Sequence, residues 1–396
     1  MRIRDIRLIQ VRGEYDVSLG VGKERQVGAL DMLAEYRARQ VEPPTPEQLQ
    51  EPQPIEGIYV HVDTTEGITG LFGPIMDAQA YLIATALKPY LLDKDPLAVE
   101  YLWDVMARHD RHGRTGYMMM AISAVDLALW DIRGKAVGWP VYRLLGGPTR
   151  ERIPAYASML GHSLAPSKVS ERARAYVKKG YRAQKWFFRY GPGHGREAIA
   201  ENMSLVRTLR EAVGEDVDLM FDAWLGWDVP FAIEMGRRMT PFHPRWLEEP
   251  VQPDRIASYA QIRRETDIPI AGGEHVYTRW GFKTMLDAEA LDVLQADPDW
   301  TGGITEMIKI CALASAYDKQ VIPHGHSVVP ALHVIAAQSP AVCPLLEYLV
   351  LHNQKKQWFH RIKYVPEDGH IPLPEQPGLG IELDEERVLS RQELTW

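Results

Sequence analysis

Leu219-Met220-Phe221-Asp222, Trp246-Leu247-Glu248, Ile270-Ala271-Gly272-Gly273-Glu274, Val293-Leu294-Gln295-Ala296-Asp297, Val321-Ile322-Pro323-His324 and Leu345-Leu346-Glu347 are six short apolar runs, each closed by a residue that can carry charge. The closing residues follow one another at spacings of 26, 26, 23, 27 and 23. A strand with its loop and returning helix takes roughly 25 to 35 residues, so the spacing predicts a series of βα units. One acid at a strand end is ordinary, because Asp often caps the helix that follows. Six in step point to a closed parallel barrel, in which the C-terminal ends of all strands meet at one mouth.

Asp222, Glu248 and Glu274 in such a mouth would repel one another unless a cation lay between them. Oxygen-only ligation suits Mg²⁺ better than zinc, which favours His or Cys. Glu249 beside Glu248 satisfies the same periodicity, with adjacent strand residues pointing to opposite sides.

Outward from these runs, eight apolar stretches occur at about 153–158, 181–187, 217–222, 245–249, 268–274, 292–297, 320–324 and 343–348, with helical patterns in the seven gaps. This alternation is the signature of a parallel sheet. Upstream, residues 1–12 read as a strand, and 58–63 with 67–73 as a hairpin, which together predict a small antiparallel sheet. The Pro-rich excursion at 43–54 is either a lid or a surface insertion. Residues 78–107 and 117–136 have helical apolar spacing, and the Met118-Met119-Met120 stripe with Trp130 reads as packing. Gly146-Gly147 stops the helical pattern before the barrel.

With 396 residues, 45% of them hydrophobic and 25% charged, the chain is long enough for two domains of a soluble globular protein. The formal net charge of −8 and the lack of a basic run longer than a few residues argue against a nucleic-acid partner. Neither a signal peptide nor a membrane-length apolar stretch is present, so the expectation is a cytoplasmic protein without membrane contact. Cys311 and Cys343 lie in apolar surroundings and read as reduced core thiols.

Asp222 in Leu-Met-Phe-Asp-Ala-Trp, Glu248 in Trp-Leu-Glu-Glu-Pro, Glu274 in Ala-Gly-Gly-Glu-His, Asp297 in Leu-Gln-Ala-Asp-Pro-Asp-Trp-Thr-Gly-Gly and His324 in Ile-Pro-His-Gly-His-Ser resemble the mandelate racemase subgroup of the enolase superfamily. The resemblance runs over nearly the whole chain. It implies an α/β fold: a modified TIM barrel, (β/α)7β, with an N-terminal α+β capping domain completed by the C-terminal tail. The expected division is 1–150 for the cap, 151–367 for the barrel and 368–396 for the returning tail. It further implies Mg²⁺ on Asp222, Glu248 and Glu274, with Glu248 favoured over Glu249, and a homo-oligomer acting on a small-molecule acid sugar.

In the family pattern His324 is the base that removes a proton next to a carboxylate, and Asp297 orients it; a neighbouring carboxylate fixes the tautomer and raises proton affinity. Pairing a His base with Mg²⁺ is the superfamily's own known chemistry. Lys185 matches the first of two lysines on the second strand and is expected to bind the substrate carboxylate. Phe187 stands where the second lysine would be and cannot move a proton. A racemase or epimerase needs acid-base groups on both faces of the α-carbon, so Phe187 favours a one-base β-elimination of water. In that reaction either His324 or His275 protonates the leaving hydroxyl.

Glu347 matches a position that hydrogen-bonds the substrate carboxylate, which requires it to be protonated by burial; otherwise it is a solvated rim acid. His326 either contacts substrate hydroxyls or packs under its loop. The cationic cluster Arg108-His109-Asp110-Arg111-His112-Gly113-Arg114 is either part of a sugar-acid pocket or a solvated loop. Lys185-Trp186-Phe187, Glu274-His275, Trp300-Thr301-Gly302-Gly303 and Pro323-His324-Gly325-His326-Ser327 look most like the L-rhamnonate dehydratase branch of acid-sugar dehydratases, whose product is a 2-keto-3-deoxy acid. The alternatives are a racemase, epimerase or cycloisomerase of the same subgroup, and a non-catalytic binding paralogue. A dead scaffold would be expected to have lost one of the five motif residues, and none is lost.

Overall fold

The computed structural model describes residues 1–16, 24–37 and 52–396. Strand β1 (Ile3–Tyr15) alternates buried and exposed side chains over its ends, and a short helix α1 (Ala34–Arg37) follows. β2 (Gln53–Thr64) and β3 (Thr69–Ile75) form the expected hairpin. β2 starts earlier than expected: Gln53 and Pro54 pair with Tyr15 and Glu14, so the end of the Pro-rich stretch is strand rather than excursion. The part of that stretch before Pro52 lies outside the described residues.

The helical stretch expected at 78–107 is broken. α2 (Asp77–Leu82) runs into a π turn at Ile83–Leu87 and then α3 (Lys88–Leu91). α4 (Val99–His109) starts only after Pro96. Pro89 has no N–H to give to the turn before it, and Pro96 cannot sit inside a helix, so helical spacing alone overstated the continuity. α5 (Gly116–Val137) is buried on nearly every side from Met118 to Ile132. It packs on β3 so closely that a Cβ at Gly70 would lie 2.2 Å from the Ala128 carbonyl oxygen. A short helix α6 (Val141–Leu144) completes the approach to the barrel.

The barrel then alternates without exception: β4 (Arg152–Ser158), α7 (Pro166–Lys178), β5 (Ala183–Phe187), α8 (Glu197–Val213), β6 (Asp218–Asp222), α9 (Val229–Met239), β7 (Trp246–Glu248), α10 (Ile256–Glu265), β8 (Ile270–Gly272), α11 (Thr278–Asp287), β9 (Val293–Leu294), α12 (Gly303–Ala316), β10 (Gln320–Val321), α13 (Val328–Ala337) and β11 (Leu346–Leu349). The order across the sheet is β10-β9-β8-β7-β6-β5-β4-β11, all parallel. Val321 N–H donates to Val342 O across the remaining gap, at 2.8 Å. The interior shows the closure directly. Tyr156, Ala183, Met220, Trp246, Ala271, Val293 and Ile322 form one buried cluster with Leu345 against it, one residue from each strand run. β9 and β10 are shorter than their apolar runs; in the loop after β9, Trp300 and Thr301 N–H bond back to Asp297 O at 3.0 and 2.8 Å.

After α14 (His352–Lys356) the chain pairs β12 (His370–Pro372) antiparallel to β4. It ends with β13 (Ser390–Leu394) paired to β1, so the tail supplies the fourth strand of the N-terminal sheet. Among the described residues no helix is long and apolar enough to cross a membrane.

Candidate active site

Parallel register sets the floor of the site. Phe187 pairs with Asp222 and Asp222 with Glu248, so the ends of β5, β6 and β7 stand side by side. Lys185, two residues before Phe187, shares its face. The structure buries Lys185 at 1% exposure. Its Nζ lies 3.3 Å from Asp222 Oδ2 and 2.8 Å from Glu347 Oε1, and it also donates to Glu248 Oε1. The other oxygen of Glu248 accepts from Trp246 Nε1 at 2.9 Å.

One ammonium therefore serves three buried carboxylates, with Glu274 nearby as a fourth. Burial pushes Asp222 up to about 6 despite Lys185, helped by the charges of Glu274 and Glu249. Burial raises Glu248 and Glu274 as well. Several buried carboxylates around one ammonium leave negative charge in excess, which is the electrostatic condition for a further cation. The donors are carboxylate oxygens, and that chemistry fits a hard divalent ion. Glu274 also faces two imidazoles, His324 Nε2 at 3.3 Å from Oε2 and His275 Nδ1 at 3.6 Å from Oε1. Ligating atoms of Glu249, Glu274 and His275 lie within 4.8 Å of one another. Thus Asp222 and Glu248 gather on Lys185, whereas Glu274 turns to the imidazole side.

Strand alternation does not separate Glu248 from Glu249 as expected. Glu249 has φ 40° and leaves the strand in the left-handed region, so both side chains reach site groups. Its oxygens lie 3.1 and 3.2 Å from His275 Nδ1. Burial alone would lower His275, but Glu249 and Glu274 outweigh it and raise it to about 9.

His324 is 8% exposed and its Nδ1 lies 2.7 Å from Asp297 Oδ2. Burial again works to lower it, and Glu274 with Asp297 raises it to about 10. Asp297 also accepts from Asp299 N–H at 2.7 Å, which fixes the carboxylate that aims the ring. Glu347 departs from the protonated state its expected role required. Burial favours that state, but Lys185 and His324 overcome it and hold the carboxyl below its ordinary value. Glu347 is fully buried rather than on the rim, and its Oε2 accepts from Gly325 N–H at 2.9 Å.

Lys185, Asp222, Glu274, His275 and His324 open on a cavity of about 200 Å³ walled by Phe187, Trp224, Trp300, Leu160 and Leu349. The cationic cluster 108–114 is not among its walls. Arg108 and Arg114 border a separate cleft of about 450 Å³ between α4 and α11, and Arg108 is exposed and paired with Asp104 at 2.7 Å.

Residues 168–387 match the family described as enolase C-terminal domain-like, and residues 39–146 match the mandelate racemase / muconate lactonizing enzyme N-terminal domain. The chain belongs to the enolase superfamily. An L-rhamnonate dehydratase of Saccharopolyspora erythraea is 35% identical over 84% of this chain and 85% of its own length. An arabinonate dehydratase of Saccharolobus solfataricus is 34% identical over 96% of each chain. Among solved structures, rhamnonate dehydratase from Gibberella zeae complexed with Mg superposes with a TM-score of 0.82 at 27% identity, covering 98% of this chain and 95% of that one. The 3,6-anhydro-D-galactonate cycloisomerase from Zobellia galactanivorans superposes with a TM-score of 0.76 at 28% identity, covering 98% of each.

In this enolase-superfamily chain, reading by motif included Asp299 and Trp300 without giving either a role, and it missed Lys356 and His352. The Trp300 ring centroid lies 4.9 Å from His324, 4.9 Å from His326 and 5.7 Å from His275, so one indole packs against three imidazoles. Asp299 could have been found from spacing, since it precedes His326 by the same 27 residues that separate Asp297 from His324. Lys356 and His352 lie on α14, beyond the last strand end, where no periodic signal marks them.

Proposed function

We propose that the chain is a Mg²⁺-dependent acid-sugar dehydratase that converts an aldonic acid, with a rhamnonate-like substrate favoured, to a 2-keto-3-deoxy acid. The observation that carries this reading is the pairing of His324 with Asp297 at the cavity that Lys185 also lines, with Phe187 in place of a second base. The dehydratases at 34% and 35% identity support it.

Asp222, Glu248 and Glu274 are the residues assigned to the metal, which would supply positive charge to the substrate carboxylate as the α-proton leaves. Lys185 adds a fixed ammonium beside the same carboxylate and balances the acids around it. A cation held by Glu274 would offset the charge that raises His324. The neutral ring, with its proton held on Nδ1 by Asp297, takes the α-proton onto Nε2, and the C–H electron pair moves into the carboxylate as an enediolate. Its return expels the 3-hydroxyl, which leaves as water after receiving a proton. Two groups are assigned to deliver that proton: His324 itself, returning the one it took, and His275, which Glu249 keeps charged. The resulting enol tautomerises to the 2-keto acid. Glu347 acts as a carboxylate that anchors Lys185 and the His324 loop through Gly325 N–H. The division into cap, barrel and tail at 150 and 367 belongs to this reading.

The test is a screen of five- and six-carbon aldonic acids with Mg²⁺, detecting 2-keto products. The second reading, a cycloisomerase or epimerase, is favoured by the cycloisomerase of the same fold. Solvent deuterium entering recovered substrate, or a cyclised product, without any 2-keto acid would replace dehydration with that reading.

A further inference from the structure

The barrel mouth holds a second carboxylate–imidazole pair that the reaction above does not use. Asp299 and His326 stand two residues beyond Asp297 and His324 in the same two loops. Asp299 Oδ2 lies 2.9 Å from His326 Nδ1. The rings of His324 and His326 are 6.4 Å apart and within 14° of parallel, with Trp300 packed against both. Both imidazoles line the same cavity.

Ligating atoms of Asp297, Asp299 and His326 lie within 4.8 Å of one another, which by distance alone is a metal cluster. Lys356 argues against that use. Its Nζ is 3.3 Å from Asp299 Oδ2 and 3.1 Å from His326 Nδ1, so positive charge already occupies the place and would repel a second cation. With an ionised carboxylate on Nδ1, the neutral ring carries its proton there and presents a lone pair on Nε2, which also lies 3.4 Å from Lys356 Nζ. Burial and Lys356 hold His326 below its ordinary value, and Lys356 and His326 overcome burial to hold Asp299 ionised.

Leu160 and Leu349, on the same cavity, offer nothing to a hydroxyl. Burying a hydroxyl without a partner is unfavourable, so a polyhydroxy chain needs polar groups along its length. His326 supplies one. His352 supplies another, since its ring is 5.1 Å from His326 and its Nε2 is buried without a hydrogen-bond partner.

We propose that His326, oriented by Asp299, accepts a hydrogen bond from a substrate hydroxyl beyond the carbon that loses water, and so selects polyhydroxylated acids over short ones. Asp299 and Lys356 are positioning residues for that ring. The inference rests on the dehydratase reading, and the experiment separates the two. Wild type, His326→Leu, His326→Gln and Asp299→Asn are assayed with Mg²⁺ on a six-carbon aldonate and on 2,3-dihydroxybutanoate, which keeps the eliminated hydroxyl and lacks those beyond it.

The expected result is a KM for the aldonate raised roughly 10- to 100-fold in His326→Leu with kcat within about threefold, and an unchanged kcat/KM for the short acid. His326→Gln, whose amide oxygen can accept, recovers part of the loss, and Asp299→Asn shifts KM in the same direction by less. Equal losses on both acids, or no loss on either, overturn the assignment of His326 while leaving the dehydratase intact. A wild type that dehydrates neither the aldonate nor the short acid removes the parent reading, and this one with it.

Discussion

Lys185 shows how a single residue can be read rightly for position and incompletely for role. Its register matches the expected lysine, but its Nζ is held by three carboxylates at once. Glu274 is the acid that Lys185 does not contact, and it faces the base. Glu274→Gln is therefore predicted to weaken Mg²⁺ binding by roughly 100-fold, about 2.8 kcal/mol, in a metal titration of the folded protein. An unchanged metal affinity would remove it from the ligand set. His275→Asn separates the two proton donors: if His275 serves the leaving group, dehydration falls roughly 100-fold while exchange of the α-proton continues. Equal loss of both would make His275 structural, and no loss would leave the donation to His324. The acids that close strands were legible because a strand end in a parallel barrel fixes both position and direction. The charge state of Glu347 was not, because it depends on Lys185 and His324 arriving from other strands.

The loop between β9 and α12 carries Asp297, Asp299 and Trp300, and the cap holds it in place. Gly302 N–H donates to Ser123 Oγ at 2.8 Å, Gly302 O accepts from Trp103 Nε1 at 2.8 Å, and Thr305 N–H donates to Asp126 Oδ2 at 3.0 Å. Gly303 has φ 76°, and a Cβ there would lie 2.2 Å from Asp126 Oδ2. Gly303→Ala is predicted to destabilise the protein by roughly 2 kcal/mol or more, read as a lowered thermal midpoint, and to reduce turnover by displacing Trp300 and Asp297. A variant with unchanged midpoint and activity would show that the loop is not held through α5. The eight barrel strands were legible from apolar runs bounded by turns. The break in 78–107 was not read, although Pro89 and Pro96 mark it, because apolar spacing persists across the π turn.

Cap, barrel and tail meet around His333 on α13. Its Nδ1 accepts from Tyr142 N–H of α6 at 3.1 Å, and its Nε2 donates to Leu379 O of the tail at 3.1 Å. Burial lowers it to about 4, so it is neutral in the fold. Because the folded value lies below the unfolded value of about 6.5, the unfolded chain binds more protons between those limits. Stability from this group is complete above about 6.5 and is lost as pH falls toward 4, by about 3 kcal/mol at most. His333→Gln is predicted to have a lower midpoint at pH 7 and a shallower decline between pH 6.5 and 4; an equally steep decline would place the acid sensitivity elsewhere. That the tail would return to the N-terminal sheet came from the family resemblance. The seam itself was invisible in sequence, since Tyr142, His333 and Leu379 are separated by 191 and 46 residues.

The account turns on His324 removing an α-proton. Wild type and His324→Asn are incubated with Mg²⁺ and an aldonate in D₂O, following the α-proton signal and 2-keto acid by NMR. The predicted result is a 2-keto-3-deoxy acid from wild type and, in a folded His324→Asn that still binds metal, a fall of roughly 10⁴-fold in both signals. A His324→Asn protein that still removes the α-proton at the wild-type rate would contradict the assignment.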